Sequence, residues 1–226
     1  MKILVFGSNG LVGNSLRRIL KKYEHDVEFS TRQKVDLFDF NETLSLINKI
    51  NPDCIINAAA KVGGIFANDT NRTEFLINNL KININILESI KELPETKIIN
   101  LGSSCIYPLH ANNPISETSF MTGTLEPTNS AYAIAKITAI ELGRSIRREY
   151  GHSVVNLMPT NLYGPNDNFS EMDSHVIPGL ISRMHKAKTE NQNNFKIWGS
   201  GQPLREFLHV DDLASSIMFV IENKIN

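Results

Sequence analysis

Gly7, Gly10 and Gly13, each separated from the next by two residues, stand immediately after a short apolar run, and this spacing restricts the fold more than any other feature of the chain. The run from Lys2 to Phe6 reads as a buried strand. Beyond the glycines, Leu11, Val12, Leu16, Ile19 and Leu20 recur at helical spacing, so Leu11 to Lys22 reads as a helix. Strand, glycine turn and helix in this order make a phosphate-binding turn. Glycine tolerates the unusual φ of the turn and lets the backbone approach a pyrophosphate, while the helix N-terminus offers unpaired N–H groups to the anion. Without the strand and the helix, three glycines would be ordinary turn residues. Gly7, Ser8, Asn9, Gly10, Leu11, Val12 and Gly13 are therefore candidate cofactor-binding positions.

The alternation continues along the chain. Strands are expected at Asp26 to Phe29, Cys54 to Asn57, Lys97 to Leu101 and Ser153 to Met158. Helices are expected from about Glu42 to Ile50, within Arg72 to Leu93, and from about Asn129 to Tyr150. Strands alternating with helices predict an α/β fold, a doubly wound, mainly parallel sheet of Rossmann type. After Met158 the pattern is broken by Pro159, Gly164, Pro165 and Pro178; short strands near Ile197 and Phe207 and a helix from about Asp211 to Ile221 follow. Residues 1–158 are thus read as a dinucleotide-binding domain, and 159–226 as substrate-binding segments interleaved with the last sheet elements. Irregular chain at the carboxyl ends of parallel strands is where ligands sit in such sheets.

Composition narrows the partners. With 226 residues, 41% of them hydrophobic and 21% charged, the chain can bury a full core. A net charge of -1 and a pI near 6.6 give no electrostatic support for a nucleic-acid or anionic-membrane partner. The first apolar run is too short for a signal segment or a membrane span, which predicts a cytoplasmic address. Cys54 and Cys105 are too few for a disulfide scaffold and are expected to be thiols, Cys54 as a small core residue of an apolar strand. His25, His110, His152 and His185 fall in turns or on polar faces, with no pair at metal-ligand spacing, so no metal is expected. His209, Asp211 and Asp212 open the last helix and read as capping residues. Arg147, Arg148, Lys21 and Lys22 read as solvated helix faces.

Two further features carry chemistry. The second strand runs into Ser30, Thr31 and Arg32, where an NAD-preferring fold would offer a carboxylate to the ribose. The planar fork of Arg32 suits a 2′-phosphate instead, which predicts NADP(H); the alternative is a solvated surface arginine. Tyr132 and Lys136 lie four residues apart on a helical stretch, so both emerge on one face. An ammonium near a phenol is expected to lower its pKa and fit it to donate a proton to a carbonyl oxygen as hydride arrives at carbon. Ser103 and Ser104 follow Leu101 and Gly102 at a strand end, which sets hydroxyl donors at the same sheet edge as the glycine turn.

With these residues in place, the chain resembles the extended short-chain dehydrogenase/reductase family, and most closely its GDP-L-fucose synthase branch. The matching stretches are Ala58 to Ile65, Leu101 to Pro108, Gly123 to Asn129, Tyr132 to Ile137, Met158 to Pro165, Ser174 to Pro178 and Arg205 to Asp212. The resemblance implies a reductase triad of Ser103, Tyr132 and Lys136. It implies that Leu101, Gly102, Ser103, Ser104, Lys136, Pro159, Thr160, Asn161, Leu162 and His175 line the NADP(H) site, and that Arg183, Trp198 and Arg205 contact the nucleotide sugar. It further implies that Cys105 and His175 act as base and acid in epimerisation. Hydrogens flanking a ketone are acidic because the carbanion delocalises onto the ketone oxygen, and inversion needs one group to remove and another to return a proton. A symmetric homodimer through the helices around Arg72 to Leu93 and Asn129 to Tyr150 is implied by the same analogy.

The implied activity is NADPH-dependent conversion of GDP-4-keto-6-deoxy-D-mannose to GDP-L-fucose, with epimerisation at carbons 3 and 5 before reduction at carbon 4. Two alternatives stay open at this level. One is a relative acting on another GDP-4-keto-deoxy sugar of the 6-deoxy-heptose or colitose type; the other is an NADP-binding protein without turnover. Members of the family continue past the position matching Asn226, so the C-terminal substrate-binding portion is expected to be incomplete.

Overall fold

The computed structural model describes residues 1–170, 173–197 and 199–225. Its elements are β1 (Lys2–Phe6), α1 (Leu11–Leu20), β2 (Asp26–Phe29), α2 (Phe40–Ile50), β3 (Cys54–Asn57), α3 (Ile65–Thr70), α4 (Arg72–Ser89), β4 (Lys97–Leu101), α5 (Ser130–Tyr150), β5 (Val154–Leu157), β6 (Asn161–Tyr163), α6 (Val176–Thr189), β7 (Phe207–His209) and α7 (Val210–Glu222). β1 to β5 form one parallel sheet in the order β2-β1-β3-β4-β5, with Val5 opposite Phe29 on one side and Ile56 on the other. β6 and β7 form a separate parallel pair.

Successive strand side chains point to opposite faces, so each apolar strand supplies two cores. Ile3 and Val5 of β1 join Leu16 and Ile19 of α1 and Leu213, Ile217 and Met218 of α7 on one face. Leu4 and Phe6 join Ile47 of α2, Ile82 and Ile86 of α4 and Ala139 and Ile146 of α5 on the other. This two-sided cover is the doubly wound arrangement that the alternation of strands and helices predicts. α7, although late in the chain, belongs to the first of these cores.

Strand order reverses between β1 and β3, and the crevice outside their carboxyl ends is the ligand position of such sheets. The Gly7 turn leaves β1 there, against the segment that leaves β3. Gly7 has φ +75°, and a Cβ on it would lie 2.5 Å from the Ala58 carbonyl oxygen. Only glycine meets both demands.

The expected elements are all present except one. No strand is found near Ile197 among the described residues; the strand expected near Phe207 is β7, and it pairs with β6, which was not expected and at three residues is too short to give a periodic signal. α6 also replaces chain expected to be irregular. Pro178 is its third residue, and a proline in the first helical turn removes an N–H that has no intrahelical acceptor there. His152 was expected on a polar face but is buried, with Nε2 3.1 Å from the Lys91 carbonyl oxygen. The left-handed Gly151 cap of α5 turns the chain inward at that point. Cys54 lies in the core as expected, and Lys21, Lys22, Arg147 and Arg148 are exposed. His209 caps α7, its Nδ1 accepting from the Asp211 N–H at 3.2 Å.

Candidate active site

The glycine turn closes on itself: the Gly10 N–H donates to the Gly7 carbonyl at 3.0 Å, and the Asn14 N–H donates to that of Gly10 at 2.9 Å. Gly13 packs under the turn, where a Cβ would come 2.4 Å from the Gly7 oxygen. A Cβ on Gly10 would meet only that oxygen, at 3.4 Å. The space over the start of α1 is therefore open, and Gly10 caps the helix without a side-chain acceptor and with no acidic residue in the first turn. An open, uncapped helix N-terminus beneath a glycine turn fits a pyrophosphate. Asn9 is exposed at the tip, whereas Leu11 and Val12 are half-buried.

Ser8 takes a different part from the one its place in the turn suggests. It is fully buried, and its hydroxyl donates to the Ser30 carbonyl at 2.7 Å and accepts from Arg17 Nη2 at 3.2 Å. The side chain ties β1 to the end of β2, leaving its backbone to the turn. Arg32, two residues beyond Ser30, is exposed and has no ion-pair partner among the described residues, whereas nearby Lys34 is paired with Glu28.

At the carboxyl end of β4, the chain passes Leu101 and Gly102 into a short 3₁₀ turn, Ser104 to Ile106, capped by Ser103, whose Oγ accepts from the Cys105 N–H at 3.4 Å. α5 presents Tyr132 and Lys136 to this turn, one helical turn apart. Lys136, 3% exposed, donates from Nζ to the Leu101 carbonyl at 2.6 Å. Its Nζ is 5.6 Å from the centre of the Tyr132 ring. Ser103 and Asn129, the residue preceding α5, both act on the Cys105 thiol so as to favour its thiolate. Ser103, Cys105, Tyr132 and Lys136 are thus brought together.

Burial dominates their ionisation. It lowers the Lys136 amine to about 8, with Cys105 acting in the other direction. It raises the Cys105 thiol, against opposing hydrogen bonds from Ser103 and Asn129 and the positive charge of Lys136. Tyr132 is raised strongly by burial and further by Cys105. The expectation that Lys136 acidifies the phenol is therefore corrected: desolvation of the half-buried tyrosine outweighs a cation whose hydrogen bond goes to the backbone. Near neutral pH the site holds a neutral phenol, a thiol and a mostly protonated amine.

The remaining candidates surround this cluster. The Pro159 carbonyl accepts from the Ser104 N–H at 3.2 Å, which joins the segment after β5 to the 3₁₀ turn. Thr160 is half-buried, Asn161 donates from Nδ2 to the Glu206 carbonyl at 2.9 Å, and Leu162 packs on the core. His175 is exposed at the cap of α6 and interacts electrostatically with Asp167. Its segment reaches the sheet edge through the Gly64 N–H, which donates to the Asp173 carbonyl at 3.1 Å. Arg183 donates from Nε to the Gly179 carbonyl at 3.1 Å, and exposed Arg205 donates to the Leu204 carbonyl at 2.7 Å. Trp198 lies outside the described residues.

Several residues that shape the site were not singled out by their sequence. Asn129 acts on the ionisation of the thiol, and its only signal was membership of the stretch Gly123 to Asn129. Asn57, Asn83, Asn100 and Asn156 form a buried chain of side-chain hydrogen bonds across β3, α4, β4 and β5, with distances of 2.9 to 3.1 Å. Asn79 grips the backbone of Lys61 by both its N–H, at 2.9 Å, and its carbonyl, at 3.0 Å. Each asparagine satisfies a partner distant in sequence, which no local pattern records.

Residues 3–226 match the family described as NAD dependent epimerase/dehydratase family. The chain is 44% identical over 223 residues to GDP-L-fucose synthase of Escherichia coli (strain K12), covering 98% of this chain and 69% of that one. It is 45% identical over 222 residues to GDP-L-fucose synthase 1 of Arabidopsis thaliana, again covering 98% and 69%. Among solved structures, a GDP-L-fucose synthetase from Naegleria fowleri bound to NADP superposes with a TM-score of 0.87 at 34% identity, over 97% of this chain and 72% of that one.

Proposed function

The chain belongs to the NAD dependent epimerase/dehydratase family, and on that premise we propose that Ser103, Cys105, Tyr132, Lys136 and His175 perform its chemistry. The protein is an NADP-dependent nucleotide-sugar epimerase/reductase: it converts GDP-4-keto-6-deoxy-D-mannose to GDP-L-fucose, inverting carbons 3 and 5 and reducing carbon 4. The observation that carries the residue assignment is Cys105, its N–H donating to Ser103 Oγ, beside the Tyr132 and Lys136 pair.

The cofactor would lie with its pyrophosphate over Gly7, Gly10 and Gly13 and its 2′-phosphate toward Arg32; when bound, it supplies hydride to carbon 4. Cys105 removes the proton flanking the ketone, and His175 returns one from the other side. Because burial holds the thiol protonated, the lysine charge and the two hydrogen bonds set how readily Cys105 can act as base. Ser103 and Tyr132 donate hydrogen bonds to the ketone oxygen and so hold the charge of the enolate. In the reduction, Tyr132 passes its proton to that oxygen. Its raised pKa keeps the phenol protonated and ready to donate. Lys136, fixed on the Leu101 carbonyl, ties α5 to the end of β4 and so holds Tyr132 beside Ser103 and Cys105.

Arg183, Trp198 and Arg205 are proposed as contacts for the GDP-sugar. The assembly is proposed to be a homodimer through α4 and α5, supported by exposed Ile77 and Ile84 two turns apart on α4 and exposed Ile134 on α5. A cytoplasmic location accords with a mechanism that requires Cys105 as a free thiol. No helix among the described residues is long and apolar enough to cross a membrane.

Incubation with NADPH and GDP-4-keto-6-deoxy-D-mannose, with the product identified by NMR, tests the whole reading. GDP-L-fucose is expected. A reduced sugar with both centres uninverted would remove Cys105 and His175 from the scheme, and absence of any product would overturn it.

A further inference from the structure

Arg17 lies on the second turn of α1, one helical turn beyond Gly13, and its guanidinium sits 4.2 Å above the centre of the Phe29 ring at the end of β2. Nη2 donates to Ser8 Oγ at 3.2 Å, and that hydroxyl donates to the Ser30 carbonyl. These two contacts fix both the plane and the edge of the group. Arg17 is half-buried, yet no carboxylate pairs with it among the described residues. Its helix neighbour Arg18 is paired with Asp211 at 2.6 Å, and Lys34 across the strand end is paired with Glu28.

A half-buried cation without a counter-charge is costly, and proteins keep such groups where an anion binds. Around the last residues of β2, two guanidinium groups, Arg17 and Arg32, remain without a carboxylate. A 2′-phosphate carries about two negative charges near neutral pH and accepts several hydrogen bonds, more than the fork of one exposed arginine satisfies. Arg17 has five donors and spends one on Ser8.

We propose that Arg17 is the second cation of the 2′-phosphate subsite, held ready by Phe29 and Ser8, with exposed Arg32 closing from the opposite side. The proposal rests on the NADP(H) reading and deepens it. It assigns discrimination to a stacked, half-buried arginine as well as to the exposed arginine after β2. It also explains why Ser8 is buried: its hydroxyl sets the register between the glycine turn and Ser30.

The test is equilibrium binding, followed by fluorescence or calorimetry, of NADPH, NADH, 2′,5′-ADP and 5′-AMP to the native chain, Arg17→Met and Arg17→Lys. Methionine keeps the packing on Phe29 and removes the charge. Arg17→Met is expected to bind NADPH and 2′,5′-ADP at least about tenfold more weakly, the loss of one charge-assisted hydrogen bond, with NADH and 5′-AMP unchanged within about twofold. Arg17→Lys, which keeps the charge but not the fork, is expected between the two. Equal losses for phosphorylated and unphosphorylated ligands, or no loss, would reduce Arg17 to a prop of the turn and overturn the inference. A native chain that prefers NADH would bring down the cofactor reading itself, and the inference with it. If Arg17→Met fails to fold, the ratio of NADPH to NADH affinity in Arg17→Lys decides alone, an unchanged ratio being the overturning result.

Discussion

Lys136 gives its hydrogen bond to the backbone carbonyl of Leu101, at 2.6 Å, while its Nζ stays 5.6 Å from the Tyr132 ring centre. The bond joins α5 to the end of β4, so the strand that leads into Ser103 and Cys105 and the helix that carries the phenol are pinned to one another. The amine has a folded pKa of about 8 against an ordinary 10.5. Between those values the unfolded chain holds more protons than the folded one, so the stability cost of burying this charge is full below about pH 8 and fades as pH rises to 10.5. Relative to Lys136→Met, the native chain should gain stability across that window, by at most roughly 3 kcal/mol. Urea midpoints of both proteins at pH 7.5 and 9.5 check this, and a difference that does not move with pH would contradict the assigned burial.

Tyr132→Phe should keep the fold, since the ring stays and only a hydroxyl is lost. The loss of proton donation is expected to slow carbon 4 reduction by about a hundredfold or more, read as NADPH oxidation. A variant as fast as the native protein would exclude the phenol as donor.

Cys105→Ser separates the two activities. Exchange of solvent deuterium into carbons 3 and 5 should fall by about a hundredfold, because a serine hydroxyl is a far weaker base than a thiolate. Reduction at carbon 4 should persist, giving an uninverted product. Undiminished exchange, followed by NMR, would move the base elsewhere.

Gly10 and Gly13 of the turn should respond unequally. Gly10→Ala meets one atom at 3.4 Å and has extended backbone, so its thermal midpoint should shift little while NADPH binding weakens by about tenfold or more through loss of the open space. Gly13→Ala would collide with the Gly7 oxygen at 2.4 Å and should cost about 1–3 kcal/mol of stability. Calorimetry and cofactor titration of the pair distinguish a binding glycine from a packing one; similar melting losses in both would contradict the assignment.

The proposed dimer is open to a direct test. Ile77→Asp combined with Ile134→Asp places charge on the exposed apolar faces of α4 and α5 and should convert a sedimenting dimer to monomer with unchanged circular dichroism. A double variant that remains dimeric would place the interface on another face.

Much of the frame could be read along the chain because the signals are local. Ile3, Leu4, Val5 and Phe6 are apolar on both faces, which only a sheet covered twice can bury, and the heptad-scale spacing from Leu11 to Leu20 sets α1 behind the turn. The same logic failed at α6, where Pro178 resembles a breaker unless its place in the first turn is known. It failed at β6, whose partner Phe207 lies far along the chain. At the site, residue types singled out Ser103, Tyr132 and Lys136 and the family resemblance added Cys105, and the fold brings the four together. Nothing local showed that Ser8 turns inward to Ser30, or that Asn129 reaches the thiol.

Glycine spacing, strand alternation and the order of motifs were enough to determine a doubly wound sheet with a pyrophosphate turn, since backbone sterics and hydrophobic periodicity act over a few residues. The charge state of Tyr132, Cys105 and Lys136 was decided only by the tertiary structure. Desolvation of Tyr132, Cys105 and Lys136, and the choice of Leu101 as the lysine's partner, depend on which distant segments close over them, and that closure keeps the phenol protonated.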